Sequence, residues 1–290
     1  MKKLSLLLIL FSALFSAQSS RMIYQYTFRP DSTKVDSLKT EWMYLDIQKD
    51  GSKYYSKNTF ESDSIIHESI KKQMAAGMKN ISVSRQNRGG EINYEVEKTY
   101  PEYKTYLTAR IGNDSYKVLE DRKIEWKITP EKNKIGAFNM QKATASFAGR
   151  NWTAWFTNEV PVLDGPYKFS GLPGLIVEVS DDSGSHKMEL KGIKKLVAQK
   201  EEELNTQGKD IPFVKKKPLE VNRQQYIKQL KQYQNDPVQG IREIMNQPNS
   251  KIKVNINGQE FTDPKEILRA MEQNARDEMK KNNNWIELKP

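Results

Sequence analysis

Residues 149–182 read GRNWTAWFTNEVPVLDGPYKFSGLPGLIVEVSDD, and their reading decides the fold. Glycine, proline and bulky aromatic residues crowd into this stretch, while no nucleophile–base pair and no ligand cluster stands among them. Leu172-Pro173-Gly174-Leu175 fits a type II turn, with Pro173 presetting φ near −65° and Gly174 supplying a positive φ. Gly171, just before it, suits a close approach of backbone. Leu175 to Val179 then reads as a strand, Asp181-Asp182-Ser183-Gly184 as a turn, and Ser185 to Lys191 as an alternating return strand. Asp164-Gly165-Pro166 marks a further turn upstream. Turns of this kind between apolar strands are more often architecture than site, although ordered loops also carry function.

Working outward, the same alternation recurs on both sides. Met22–Phe28 puts Tyr24, Tyr26 and Phe28 on one face, and Trp42–Ile47 sets Met43, Leu45 and Ile47 opposite Trp42 and Tyr44. Lys49-Asp50-Gly51 is a hairpin signal leading to Tyr54-Tyr55. Ser62 or Asp63 can cap a helix to about Met78, with Ile66, Ile70 and Met74 facing the core. Strands are expected at Ile92–Val96, Tyr103–Ile111, Tyr116–Ile128, Ile135–Phe147 and Trp152–Thr157, with Pro130-Glu131-Lys132-Asn133 among the turns. Consecutive strands with short turns read as an antiparallel meander.

The texture changes after Val197. A polar loop comes next, then a helix capped by Asn222, a short helix to Met245, and a small hairpin over Lys251–Ile256 and Gln259–Phe261. Asp263-Pro264-Lys265-Glu266 opens a last helix to about Lys281 as a capping box with proline at the first helical position. The expected fold class is α+β. A mainly antiparallel β meander forms a curved sheet, a sandwich or a half-barrel, with packed helices and a helical C-terminal part. Four spans are expected: a signal peptide over 1–17, a β-rich domain over 18–197, the polar loop over 198–220 and a helical segment with its hairpin over 221–290.

The start of the chain has Lys2 and Lys3, an apolar run from Leu4 to Leu14 and then small residues, the pattern of a secretory signal peptide. Cleavage is expected near Ala17-Gln18, with Ser19 as the alternative. The apolar run is shorter than the roughly 20 residues a membrane span needs, and no later run reaches that length. With no cysteine there is neither a disulfide nor a lipid-attachment site, so an oxidising compartment is allowed but not used. Removing residues 1–17 subtracts two lysines from the formal +10 and leaves +8. The lysines are spread along the chain without a helical stripe of interleaved aromatics, so no nucleic-acid partner is expected.

A resemblance attaches to the opening stretch. Gly171-Leu172-Pro173-Gly174-Leu175-Ile176, with Lys142-Ala143, Gly149–Phe156 and Gly165–Phe169 around it, resembles the GLPGLI family of exported bacterial proteins. Asn283-Asn284-Trp285-Ile286-Glu287-Leu288 is similar to that family's ending, with Trp285 where a proline is expected. The resemblance covers most of the chain. It implies export in Bacteroidetes-type bacteria and supplies neither an activity nor catalytic residues.

The chemistry-bearing residues stand or fall on their own spacing. His67 and His186 are the two histidines, and without cysteine, HExxH or a histidine pair they make no zinc site. No GxSxG elbow, phosphate loop or dinucleotide fingerprint occurs. Asp181, Asp182 and Glu178 offer oxygens of the kind calcium takes, although acidic turns are commoner. Glu159 and Asp164 are a carboxylate pair of the kind a glycosidase holds in a cleft. Arg150, beside Trp152, suits an ion pair or the capture of a carboxylate. No metal and no cofactor is expected. The expected role is non-enzymatic binding or carriage of an apolar ligand, a peptide or an envelope partner, with Arg150, Trp152, Tyr167 and Leu172 as ligand-lining residues. If they line such a site, some of them stand exposed around one concavity. The alternative is a hydrolase using Glu159 and Asp164.

Overall fold

The computed structural model describes residues 19–78, 89–136, 138–196, 217–246, 254–256 and 258–290. The expected signal peptide and residues 198–216 of the expected polar loop lie outside the described residues. The strands are β1 (Ser20–Phe28), β2 (Lys39–Ile47), β3 (Gly51–Ser56), β4 (Glu95–Thr99), β5 (Thr105–Ile111), β6 (Asp114–Leu119) and β7 (Lys127–Ile135). They continue as β8 (Phe138–Phe147), β9 (Arg150–Thr157), β10 (Leu175–Asp181), β11 (His186–Lys195) and β12 (Leu219–Val221). These twelve form one sheet in the order β12-β6-β5-β4-β3-β2-β1-β11-β10-β9-β8-β7.

The order holds two meanders, β1 to β6 and β7 to β11, joined where β1 pairs antiparallel with β11. Only β12 runs parallel, along β6. The sheet is not closed, because β12 and β7 are its edges. It curls, as twisted strands must when one face packs on itself. Tyr24 Oη on β1 donates to the Ile176 carbonyl on β10 at 2.6 Å, and Tyr54 on β3 reaches Met188 on β11.

Alternation explains the strands. Met22, Tyr24, Tyr26 and Phe28 of β1 and Met43, Leu45 and Ile47 of β2 are buried, while Trp42 is exposed. On β9, Arg150, Trp152, Ala154 and Phe156 point inward, and Trp155, three residues from Trp152, turns to the other face. Gly51 at the β2–β3 turn has room for nothing larger, since a Cβ there would lie 2.3 Å from the Lys98 carbonyl oxygen.

Two expected boundaries move. The helix α1 (Lys57–Ala75) begins directly after β3, because Ser56 Oγ accepts from the Thr59 amide and caps it there rather than at Ser62 or Asp63. Ile66 and Ile70 are buried as the spacing required, while Met74, expected with them, is only half-buried. Pro130–Asn133 is not a turn but part of β7, whose register shifts between Ile128 and Lys132. An edge strand tolerates a proline and a bulge because one side of it has no ladder to break. The expected strand Tyr116–Ile128 is split instead, and residues 120–126 leave the sheet.

The helices α2 (Arg223–Asn235), α3 (Gln239–Met245) and α4 (Pro264–Lys281) and the hairpin of β13 (Val254–Ile256) and β14 (Gln259–Phe261) come after β12. Tyr226, Leu230 and Tyr233 of α2 pack on Ile111, Tyr116 and Val118. Asn222 caps α2 with a capping box, and Asp263 caps α4. Helix α4 packs against α3 and β13, and the chain after it returns to the sheet.

Candidate functional site

Between β9 and β10 the chain runs through residues 158–174 without regular structure, and this segment fills the concave face of the sheet. Val160, Tyr167, Phe169 and Leu172 join the aromatic core around Tyr24, Trp152 and Phe156. The expected type II turn is absent. The Gly174 amide donates to the Leu172 carbonyl at 2.8 Å, a three-residue turn about Pro173, while the Leu175 amide donates to Val160 instead. Gly174 has φ +151°, and a Cβ there would sit 2.0 Å from the Thr157 carbonyl oxygen. Gly171 has φ +89° with open space around its Cβ position. The close approach therefore belongs to Gly174, and Gly171 is required for its dihedral alone.

All four expected ligand-lining residues are buried: Arg150 is 8% exposed, Trp152 1%, Tyr167 2% and Leu172 1%. Leu172, Leu175, Ile176 and Val177 are likewise core. Trp152 stacks edge-on against Phe169 at 4.7 Å, and its Nε1 donates to the Phe147 carbonyl. The charged residues of the stretch do something else, because each fastens a different part of the chain.

Asp164 fastens β3 and β4. Its Oδ1 accepts from Lys98 Nζ at 2.5 Å, and its Oδ2 accepts from Ser52 Oγ and Tyr100 Oη, both at 2.5 Å. Lys98 Nζ also donates to the Gly165 and Phe169 carbonyls, so the three protons of this fully buried ammonium are all placed. Burial pushes the Lys98 pKa down against the pull of Asp164. Glu159 is elsewhere in character, exposed and accepting from the Asn139 amide and side chain. The carboxylate pair is thus one surface group and one core group with its lone pairs taken.

The other two clusters hold residues 284–290, which lie along the β body as an irregular strap that bends at Ile286 and Leu288. Arg150 Nη1 pairs with Asp181 at 2.9 Å. Its remaining donors reach Asn284 Oδ1 at 2.7 Å and the Trp285 and Ile286 carbonyls. Asn284 Nδ2 donates to the Arg29 carbonyl and the Asn284 amide to Pro30. Farther along, Glu287 accepts from Tyr167 Oη at 2.7 Å, Lys168 Nζ at 2.5 Å and Arg122 Nη2 at 2.8 Å. The Leu288 and Lys289 amides both donate to the Ala148 carbonyl, and Arg122 Nη1 and Arg223 Nη1 donate to the carbonyls of Lys289 and Pro290.

Glu120 completes the second cluster, bound by Arg122 and Lys168. Burial raises its pKa, but hydrogen bonds and charge from Arg122 and Lys168 outweigh that and hold it at about 2. The same balance, burial against Lys168 and Tyr167, holds Glu287 below its usual range. At the first cluster, His186 accepts or donates at Nδ1 with Tyr26 Oη, 2.8 Å away. Burial and the Arg150 charge lower its pKa to about 4. Asp181 accepts from Ser183 Oγ and the His186 amide, so neither hydroxyl nor imidazole is arranged as nucleophile and base. Among the described residues, no group of three or more His, Asp or Glu side chains could hold a metal ion.

The sequence model of a family described as "Protein of unknown function (Porph_ging)" matches residues 147–178. The match covers the hexapeptide and its flanks; its description does not carry the GLPGLI name and assigns no activity. No curated protein matches. Among solved structures, "Structure of PNGF-II in C2 space group" is similar at 18% identity with a TM-score of 0.48. "Structure of PNGF-II in P21 space group" is similar at 17% identity with a TM-score of 0.47. Each similarity covers 74% of this chain and 33% of the other, so the chain spans a third of the length of those proteins.

Lys98, Glu120, Arg122, Lys168, Asp181 and Glu287 are the site-forming charges that spacing did not single out for these roles. Lys98 did leave a signal: it shares a strand face with Val96, two residues away, and a lysine on an apolar face needs a buried partner. The chemistry open to these groups is set by their pairing. Their protons and lone pairs are spent on the chain itself, where the arrangement holds residues 284–290. Among the described residues no helix is long and apolar enough to cross a membrane.

Proposed function

We propose that this is an exported, non-enzymatic protein of the cell envelope, periplasmic or extracellular, that works by binding a polypeptide partner. Export rests on the pattern of residues 1–17. The observation that carries the binding reading is the strap site: a track of buried and half-buried cations on the β body that holds residues 284–290 by side chain and by backbone. Carriage of an apolar ligand has less support, because the concave face is filled by the protein's own residues 158–174. The hydrolase alternative has less again, since Asp164 is enclosed with Lys98 and Glu159 lies at the surface.

The test is site-specific photo-crosslinking in the native envelope from Trp285 and Leu219, two exposed apolar residues, one in the strap and one on β12. A discrete polypeptide adduct is the expected result. A stoichiometric apolar small molecule in the purified protein, without any adduct, would favour the carrier reading instead.

A further inference from the structure

Lys98 and Asp164 meet in the core from segments 66 residues apart, and neither side chain has any exposed surface. A bare ion pair is a poor way to fill such a place, because taking two charges out of water costs about as much as their attraction returns. An amine and a carboxyl held together without water are also the two halves of an amide.

Each polar atom of the pair stands where amide formation needs it. Asp164 Oδ2 accepts from Ser52 Oγ and from Tyr100 Oη, both at 2.5 Å. Two fixed donors on one carboxyl oxygen are what stabilises the negative charge that gathers there when a nucleophile adds to the carbon. Oδ1 accepts from Lys98 Nζ at 2.5 Å and from the Gly165 amide at 2.6 Å, so the other oxygen has the ammonium beside it as a proton source. The Gly165 and Phe169 carbonyls, 2.7 Å and 3.3 Å from Nζ, hold the nitrogen at the carboxyl group. Burial lowers the Lys98 pKa and so favours the free amine, the form that can attack. The Lys168 cluster lacks this arrangement, because Arg122 binds both of its carboxylates, Glu120 and Glu287, in their charged form.

We propose that Lys98 and Asp164 condense in the folded protein to an intramolecular amide between Lys98 Nζ and Asp164 Cγ. One ammonium proton passes to Oδ1, and the freed lone pair adds to Cγ while Ser52 and Tyr100 hold the charge on Oδ2. A second proton follows from the nitrogen to Oδ1, which leaves as water. The nitrogen keeps its third proton, Oδ2 becomes the amide carbonyl, and no other reactant is consumed. The product N–H still faces the Gly165 carbonyl, and Oδ2 keeps both hydroxyl donors. The bond staples β4 to the irregular segment that fills the concave face. The chain has no cysteine, so no disulfide can do this.

The experiment is peptide mass spectrometry of the unaltered, folded protein after denaturation and tryptic digestion. The expected product is one branched peptide in most molecules, residues 89–104 joined to residues 151–168 and lighter than their sum by one water, since trypsin no longer cuts after Lys98. Separate peptides 89–98 and 151–168 in most molecules overturn the proposal. So does a peptide 151–168 that has lost water without its partner, which reports ring closure between Asp164 and the Gly165 amide instead. Lys98→Arg removes the amine and keeps the charge; its peptide 151–168 is expected unlinked and at full mass. If that variant does not fold, the unaltered chain alone decides.

Discussion

At the scale of the residue, Gly174 and Gly171 show how one motif can need glycine for two reasons. A side chain at Gly171 meets only dihedral strain, whereas one at Gly174 also meets the Thr157 carbonyl at 2.0 Å. Gly171→Ala is therefore expected to cost roughly 1–2 kcal/mol, and Gly174→Ala at least about 3 kcal/mol or the fold itself. Thermal melts of the two variants check this, and equal losses would be the wrong outcome. His186 carries a second expectation. Its folded pKa of about 4 lies below the ordinary 6.5, so between those values the unfolded chain binds the extra proton. Its contribution is whole above pH 6.5 and is lost as the pH falls towards 4. A shift of that size corresponds to roughly 2–4 kcal/mol. Melting temperatures of His186→Gln across this window should fall less steeply than those of the unaltered protein; parallel profiles would contradict the assignment.

At the scale of the element, most strands were legible because alternation survives wherever one face is buried. Met22 to Phe28 and Met43 to Ile47 show it, and both lie where expected. Each illegible element had its own physical cause. Pro130 reads as a turn, but an edge strand has no ladder on its outer side to lose. The cap of α1 reads as Ser62 or Asp63, yet it is the Ser56 hydroxyl, at the end of β3, that caps the helix and also meets Glu41. The three-residue β12 is too short for any period and exists because it lies parallel to β6. The site was less legible still. Arg150 stood out beside a tight turn, but its partners Asp181 and Asn284 are 31 and 134 residues away, and nothing local announces such pairings. Lys98 and Asp164 are 66 apart. Burying this pair demands that each satisfy the other, because either charge alone in the core is strongly unfavourable.

At the scale of the molecule, the opening stretch works as a hub. Asp164 ties β3 and β4 to the concave face, Tyr167 and Lys168 tie residues 120–122 to the strap, and Arg150 with Asp181 ties the strap to β11. This explains why a segment without regular structure can occupy the middle of a curved sheet: its polar groups have partners, and its aromatic ones supply the core. It also explains why the chain departs through α2, α3, β13, β14 and α4 and comes back to the β body at residues 284–290. The central claim is that residues 284–290 occupy a built groove and are more than a tail beyond α4. Native-state hydrogen exchange of the full-length protein tests it most directly. The Asn284, Leu288 and Lys289 amides, bonded to Pro30 and Ala148, should exchange much more slowly than those of β13 and β14. Exchange of those three amides as fast as the hairpin's would contradict the account.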